Sequence, residues 1–344
     1  MSKNRLRELD YIRIIACYSV ILVHISAIGV VGYLPGSIHL KIVTLLNRSI
    51  KYTTPAFLFL SGVTSFYSYR NRKFEYGEFL GKRLPRILIP YLFWNLAYYM
   101  VFIYQGYYGI SLSFFIKSLF LGTMCYHLYF IVILTQLYFL SPIFNYMFEK
   151  FNHELILAVV GAVNFILASE LDFLYSDRIF LKYMFFFVLG IYLTKNHDKS
   201  MRIMGKRSTA LISTAGYTAT AAMYTYFYYT SNPATINLWF VYSVFSIFFL
   251  YIVGIYLVGK VSDKYDTVRN LSKSSFYIYL MHPLVLIAAI WFADKTSISS
   301  LTLRLVLYTA IVIPVSTLSS VAYTFAKARI SKYHTSDLFR RKNI

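Results

Sequence analysis

Apolar runs long enough to cross a lipid bilayer recur along this whole chain, and no stretch of soluble-domain size separates them. That pattern decides the solvent. About 20 apolar residues match the hydrocarbon thickness of a bilayer as a helix, and within lipid every backbone polar group must find its partner inside the protein. Helices satisfy that requirement locally. The spacing therefore predicts an all-α integral membrane protein with ten transmembrane helices in one bundle, near 11–31, 52–69, 87–105, 127–147, 154–170, 179–194, 208–228, 237–259, 274–293 and 301–326. The apolar segment 110–122 is too short to cross and reads as interfacial or re-entrant. With no repeat, low-complexity tract or Ser/Gly-rich linker, residues 1–344 read as a single polytopic domain, with no separate soluble domain.

A formal net charge of +20 would point to nucleic acid in a soluble protein, but here topology accounts for it. With the N-terminus inside, the inner segments 1–10, 70–86, 148–153, 195–207, 260–273 and 327–344 carry 25 of the 34 basic residues. The outer loops carry six: Lys41, Arg48, Lys51, Lys117, Arg178 and Lys295. Arg13, Lys182 and Arg304 fall within spans. Both termini are thus expected on the cytoplasmic side of the cell membrane, and no nucleic-acid partner is implied. The basic N-terminus before an apolar run resembles a signal peptide. The run continues to about Val31 without a small-x-small cleavage site, so a retained first helix fits better. Cys17 and Cys125 lie in or beside apolar segments without metal-ligand spacing, which argues against a disulfide and gives no metal site.

The first span carries the lead to function. ELDYIRIIACYSVILVHISA, from Glu8 to Ala27, holds Arg13 and His24 among apolar residues. Eleven steps of about 100° bring the two to within roughly 20° of one face, about 16 Å apart along the axis. Ionisable groups inside a bilayer usually face a polar cavity or a partner. Arg13 lies near enough to the edge to snorkel, and Asp10, three residues earlier, can pair with it. His24 lies about 20 Å in, too deep to snorkel inward, and a neutral imidazole there suits a general base.

Other motifs add to it. The inner segment 70–86 has six basic residues, of which Lys82, Arg83 and Arg86 stand directly before the third span and can hold a phosphorylated ligand; anchoring of topology is the plainer reading. In the second span, Pro55 and the pair Ser61–Gly62 allow a kink and a close backbone approach. His127, in CYHLYFI, is placed near the outer surface, as an interface residue or a substrate contact. SKSSFYIYLMHPLVL in the ninth span contributes Ser275, Tyr277, Tyr279 and a deep His282, and Pro283 there breaks the helical ladder and frees a carbonyl. No Walker A pattern, dinucleotide-binding glycine fingerprint or serine nucleophile elbow is present. No Asp or Glu lies deep in a span, unlike proton-driven transporters, and no two halves match as inverted repeats.

Taken in order, LDYIRIIACYSVILVH, PAFLFLSG, KRLPRILIPYLFW and SFYIYLMHP resemble the membrane acyltransferase-3 family over essentially the full length. HLYFI fits the family's aromatic segment, with Tyr129 where Trp is usual. Among shorter members the chain is most similar to the polysaccharide-modifying group related to the intercellular-adhesin acyltransferase. The resemblance implies a multi-pass enzyme of the bacterial plasma membrane that O-acylates a cell-envelope or extracellular glycan or glycolipid. It implies no permanently bound cofactor, but acyl-coenzyme A, acetyl-coenzyme A in the first instance, as cytoplasmic co-substrate. His24 then matches the catalytic histidine and Arg13 the essential arginine, while Arg83 and Arg86 match the basic motif that meets the coenzyme A phosphates; Lys82 stands beside them. Ser61, His127, Ser275, Tyr277 and His282 would line or support the substrate site. Direct transfer and a transient acyl-histidine both remain open, as does a homodimer. The alternatives are a transporter or flippase for a lipid-linked saccharide or polysaccharide and, last, a non-enzymatic envelope scaffold.

Overall fold

The computed structural model describes residues 6–70, 72–261 and 264–341, and in the last helix it describes side chains as far as Ile330. The described residues are helical throughout, with no strand among them. In chain order the helices are α1 (Glu8–Gly32), α2 (Ile38–Ser49), α3 (Thr53–Tyr67), α4 (Tyr76–Tyr104), α5 (Leu112–Leu121), α6 (Tyr129–Phe139), α7 (Ser141–Lys150), α8 (His153–Glu170), α9 (Met184–Lys195), α10 (His197–Met204), α11 (Arg207–Tyr229), α12 (Thr235–Lys260), α13 (Tyr265–Asp294) and α14 (Leu301–Arg341). Two short 3-10 turns, Ser176–Arg178 and Phe180–Lys182, precede α9.

Every predicted span overlaps one of these helices, or two for 127–147, but not all of them qualify as crossings by length and composition. Six do: α1, α4, α8, α12, α13 and α14 over Leu301–Ile330. The pair α6–α7, bent by 49°, makes a seventh if taken as one. Of the remaining predicted spans, α3 and α9 have only 15 and 12 residues, and α11 is diluted by Ser, Thr and Tyr. The chain is a multi-pass helical membrane protein with six or seven spans on these criteria. Several boundaries also differ from expectation. α4 starts at Tyr76, so Lys82, Arg83 and Arg86 lie on its first turns rather than in a loop before it. The 32–51 connection contains the unforeseen helix α2, and the 110–122 segment is the ten-residue helix α5. Parts of the basic segments 1–10, 70–86, 260–273 and 327–344 lie outside the described residues.

The short helices α3 and α9 form the centre of the bundle. α9 is buried from Phe185 to Ile191, so protein rather than lipid surrounds it and it need not match the bilayer thickness. Their backbones touch. A Cβ on Gly62 would run into the Phe187 carbonyl and one on Gly190 into the Phe59 carbonyl, so the approach expected at Gly62 is made to α9. α1 packs on α3, α12, α13 and α14, which places the Arg13–His24 helix inside the bundle.

Irregular backbone next to this centre is satisfied by amide side chains. Asn164 donates to the Lys182 carbonyl and accepts from the Phe185 N–H, each at 2.8 Å. Gln136 does the same one step earlier, donating to the Arg178 carbonyl and accepting from the Phe180 N–H at 2.9 Å. Each amide replaces the helical partners that residues 178–185 lack, as non-helical backbone at membrane depth requires. Lys182, expected inside the sixth span, therefore stands on a 3-10 turn ahead of α9.

Candidate active site

The site begins with a proline. Pro283 has no N–H to give the Tyr279 carbonyl four residues back. His282 takes that carbonyl instead, with Nδ1 at 2.7 Å. A carbonyl can only accept, so the proton sits on Nδ1 and Nε2 is left as an acceptor. His282 is wholly buried. The ring of His24 stacks on it at 5.4 Å, and that of His127 meets it edge-on at 5.4 Å. Tyr126 lies 4.2 Å from the His24 ring. The Tyr279 hydroxyl donates to the His127 carbonyl, which ties the segment before α6 to α13.

His24, His127 and His282 thus form one cluster drawn from α1, the α5–α6 connection and α13. His127, expected near the outer surface, is buried within the protein, at 2% exposed. Among the described residues, both ring nitrogens of His127 and Nε2 of His282 are buried without a hydrogen-bond partner. Unmatched buried polar atoms are costly, by about 1–3 kcal/mol each, and mark a place where a ligand can supply the partner. No group of three or more His, Cys, Asp or Glu side chains placed to hold a metal ion occurs among the described residues.

α2 fixes the His24 segment. Asn47, 1% exposed, donates to the Val23 carbonyl and to Ser26 Oγ, both at 2.8 Å. His24, His127 and Tyr279 then face a cavity of about 300 Å³, walled further by Lys51, Tyr183 and Trp239.

A second cavity, of about 630 Å³, lies between α4, α13 and α14. Arg86 and Lys327 flank it, and Tyr277, Trp94 and Met281 wall it. Lys327 donates to the Tyr277 hydroxyl at 2.9 Å. α13 separates the two cavities: Tyr279 is two residues from both Tyr277 and Met281, about 200° around the helix, so it faces the other way. Behind the groove, Trp94 packs on Tyr98 at 6.0 Å and Tyr98 on His127 at 5.6 Å. Tyr98 is fully buried and donates to the Leu280 carbonyl at 2.7 Å.

The remaining expected residues are placed as follows. Arg13 reaches Ser272 Oγ at 3.0 Å and Asp10 at 3.4 Å; Asp10, 1% exposed, also accepts from Ser272 at 2.6 Å and Tyr265 at 2.7 Å. The pairing with Asp10 read from sequence is present and includes α13. Arg83 donates to the Thr64 carbonyl on α3 at 2.5 Å. Lys82 is exposed and pairs with Glu78, which also holds Arg72. Ser275 is buried between α13 and α1, donating to the Ser272 carbonyl at 2.8 Å while its own carbonyl accepts from Cys17. Ser61 is half-buried beside Gly62 on α3. The structure therefore unites His24, His127 and His282, and joins Arg86 with Tyr277; Lys82, Ser275 and Ser61 lie outside both groupings. Sequence reasoning missed Lys51, Lys182 and Trp239 around the first cavity and Tyr126 against the His24 ring. Lys182 did carry a signal, a charge within an apolar segment.

A protein from Staphylococcus aureus (strain N315) named "Probable poly-beta-1,6-N-acetyl-D-glucosamine export protein" is 28% identical over 314 residues, 83% of each chain. A protein of the same name from Staphylococcus epidermidis is 26% identical over 308 residues, 83% of this chain and 82% of that one. No solved structure gives a significant match. The model of the acyltransferase-3 family, described as "Acyltransferase domain", matches residues 6–323, so this chain, with its histidine-bearing first helix inside a membrane bundle, belongs to that family.

Proposed function

We propose that this protein is a membrane O-acyltransferase that moves a short acyl group, acetyl in the first instance, from cytoplasmic acyl-coenzyme A to a hydroxyl of a cell-envelope or extracellular glycan. The observation that carries this reading is the histidine cluster at the wall of one cavity, with a second cavity flanked by Arg86 and Lys327 on the opposite face of α13. The groove flanked by Arg86 and Lys327 lies towards the side that the charge bias makes cytoplasmic, where a phosphate-bearing donor would bind, with Arg83 one turn earlier on α4. The donor's pantetheine arm would run past Trp94 and Met281 towards Tyr98 and His127. The acceptor would enter the cavity that His24 faces. His24 removes the hydroxyl proton, the oxygen adds to the thioester carbonyl, and the carbon–sulfur bond breaks; the proton then passes to the departing thiolate. Acylation of His24 followed by transfer to the hydroxyl gives the same products. Arg13, bound to Asp10 and Ser272, holds α1 in register against α13 and so positions His24.

His24→Ala should lower acyl transfer at least about 100-fold while the protein still inserts and melts cooperatively. A variant with full activity would end this reading. Coenzyme A should stabilise the purified wild type thermally, and Arg83→Gln with Arg86→Gln should weaken that stabilisation.

A second reading, export or flipping of a polysaccharide or lipid-linked saccharide, is favoured by the printed names of the staphylococcal relatives. It predicts movement of saccharide across sealed vesicles without acyl-coenzyme A and no change in glycan acylation.

A further inference from the structure

The cavity in front of His24 has more positive charge than a neutral sugar hydroxyl would need. Lys51 and Lys182 both line it, each half-buried. Among the described residues, neither ammonium has a hydrogen-bond or ion-pair partner. Asp177 also lines the cavity, but Arg178 neutralises it at 2.5 Å. Arg48 stands just behind, donating to the Tyr224 hydroxyl at 3.3 Å and stacked 3.4 Å over Tyr228. Burial, with the Arg48 charge added, holds the Lys51 ammonium down to about 8.

Such a concentration is unexpected where it occurs. Basic residues are scarce on the side that the charge bias assigns to the exterior, yet three of the six counted there, Arg48, Lys51 and Arg178, gather around this one cavity together with Lys182. A lysine at a membrane edge ordinarily extends its head to water. A half-buried ammonium without a counter-charge is costly, and an anion is what relieves it.

We propose that Lys51 and Lys182 form an oxyanion-binding subsite beside His24, so that the group brought to this cavity carries a carboxylate or phosphate. Trp239 and Tyr183, at 5.9 Å edge to face, supply the aromatic wall on which the rest of a sugar ring lies. The inference rests on the acceptor side of the acyl-transfer reading. It leaves two sources for one chemistry: the anion belongs to the acceptor saccharide or to the far end of the acyl group.

Binding measurements on the full chain in detergent separate these. Methyl glucuronide is compared with methyl glucoside for the acceptor source, and malonyl-pantetheine with acetyl-pantetheine for the acyl source. The wild type should bind the anionic member of at least one pair about 10-fold more tightly than its neutral counterpart, as expected for a charge-assisted contact. The pair that shows the difference names the source. K51M/K182M should abolish the preference, so that the anionic member of a pair binds no more tightly than its neutral counterpart. Equal binding within both pairs, or a preference that survives in K51M/K182M, overturns the proposal. Should that variant fail to give a cooperative melt, Asp177→Asn takes its place: it leaves the Arg178 charge beside the cavity uncompensated and should raise the preference, and an unchanged or reduced preference overturns the proposal. Because the readout is binding rather than transfer, an active His24→Ala enzyme would sink the catalytic reading without touching this result, and the reverse holds equally.

Discussion

His282 owes its tautomer to the residue that follows it. Pro283 has no N–H for the Tyr279 carbonyl, and the imidazole donates to it. Pro283→Ala would return a backbone N–H that competes for that carbonyl and lets His282 turn. We expect transfer to fall by about 10-fold or more with little change in melting temperature, and paired rate and melting measurements check this; an unchanged rate would show that the tautomer of His282 is irrelevant. Much at this scale was legible in sequence. A histidine or arginine in an apolar run announces itself by its cost, and a proline announces a missing donor. Tyr126, Asn47 and Lys51 were not legible, because each acquires meaning only from a partner on another helix: His24, the Val23 carbonyl, the cavity wall. Lys182 falls between, visible as a buried charge but with its turn geometry hidden until Asn164 is seen to clamp it.

Elements are held here by close backbone contact and by side-chain amides rather than by length. Gly62→Ala or Gly190→Ala places a methyl against the backbone of the facing helix, which cannot yield as a side-chain tip can. Either should destabilise the protein by about 1–3 kcal/mol or more. Gly81→Ala on α4 meets nothing within 4 Å and should be neutral or stabilising by up to about 1 kcal/mol through helix propensity. Thermal melts of the three variants provide the check. Asn164→Ala strands a carbonyl and an N–H at once, so a loss of about 2 kcal/mol or more is expected, with the wall of the His24 cavity loosened. Periodicity and hydropathy located these helices except α2 and α10, which fall in segments read as loops. The bend between α6 and α7 and the shortness of α9 escaped them, since hydropathy reports apolar content and says nothing of whether lipid or protein surrounds a helix.

At the scale of the molecule, the ten-span arrangement with both termini inside is a proposal with a direct test. Cysteines introduced at Ser37 and Ser231 should react with an impermeant reagent added to intact cells, whereas one at Gly205 should react only after permeabilisation. The native Cys17 and Cys125 are free and buried, so their background should be low. Labelling of Gly205→Cys from outside would reverse the orientation and, with it, the assignment of donor and acceptor sides.

The partition formed by α13 has one more consequence. Two chambers lie on opposite faces of the same helix, with Tyr277 and Met281 in one and Tyr279 in the other. If donor and acceptor occupy them, only a few atoms need change sides, and they do so by exchanging one covalent bond for another. Neither carrier has to traverse the bilayer, and the scaffold has no need to rock between two open states. Transport is then vectorial chemistry: the thioester is spent in one compartment, its coenzyme stays there for reuse, and the ester appears in the other.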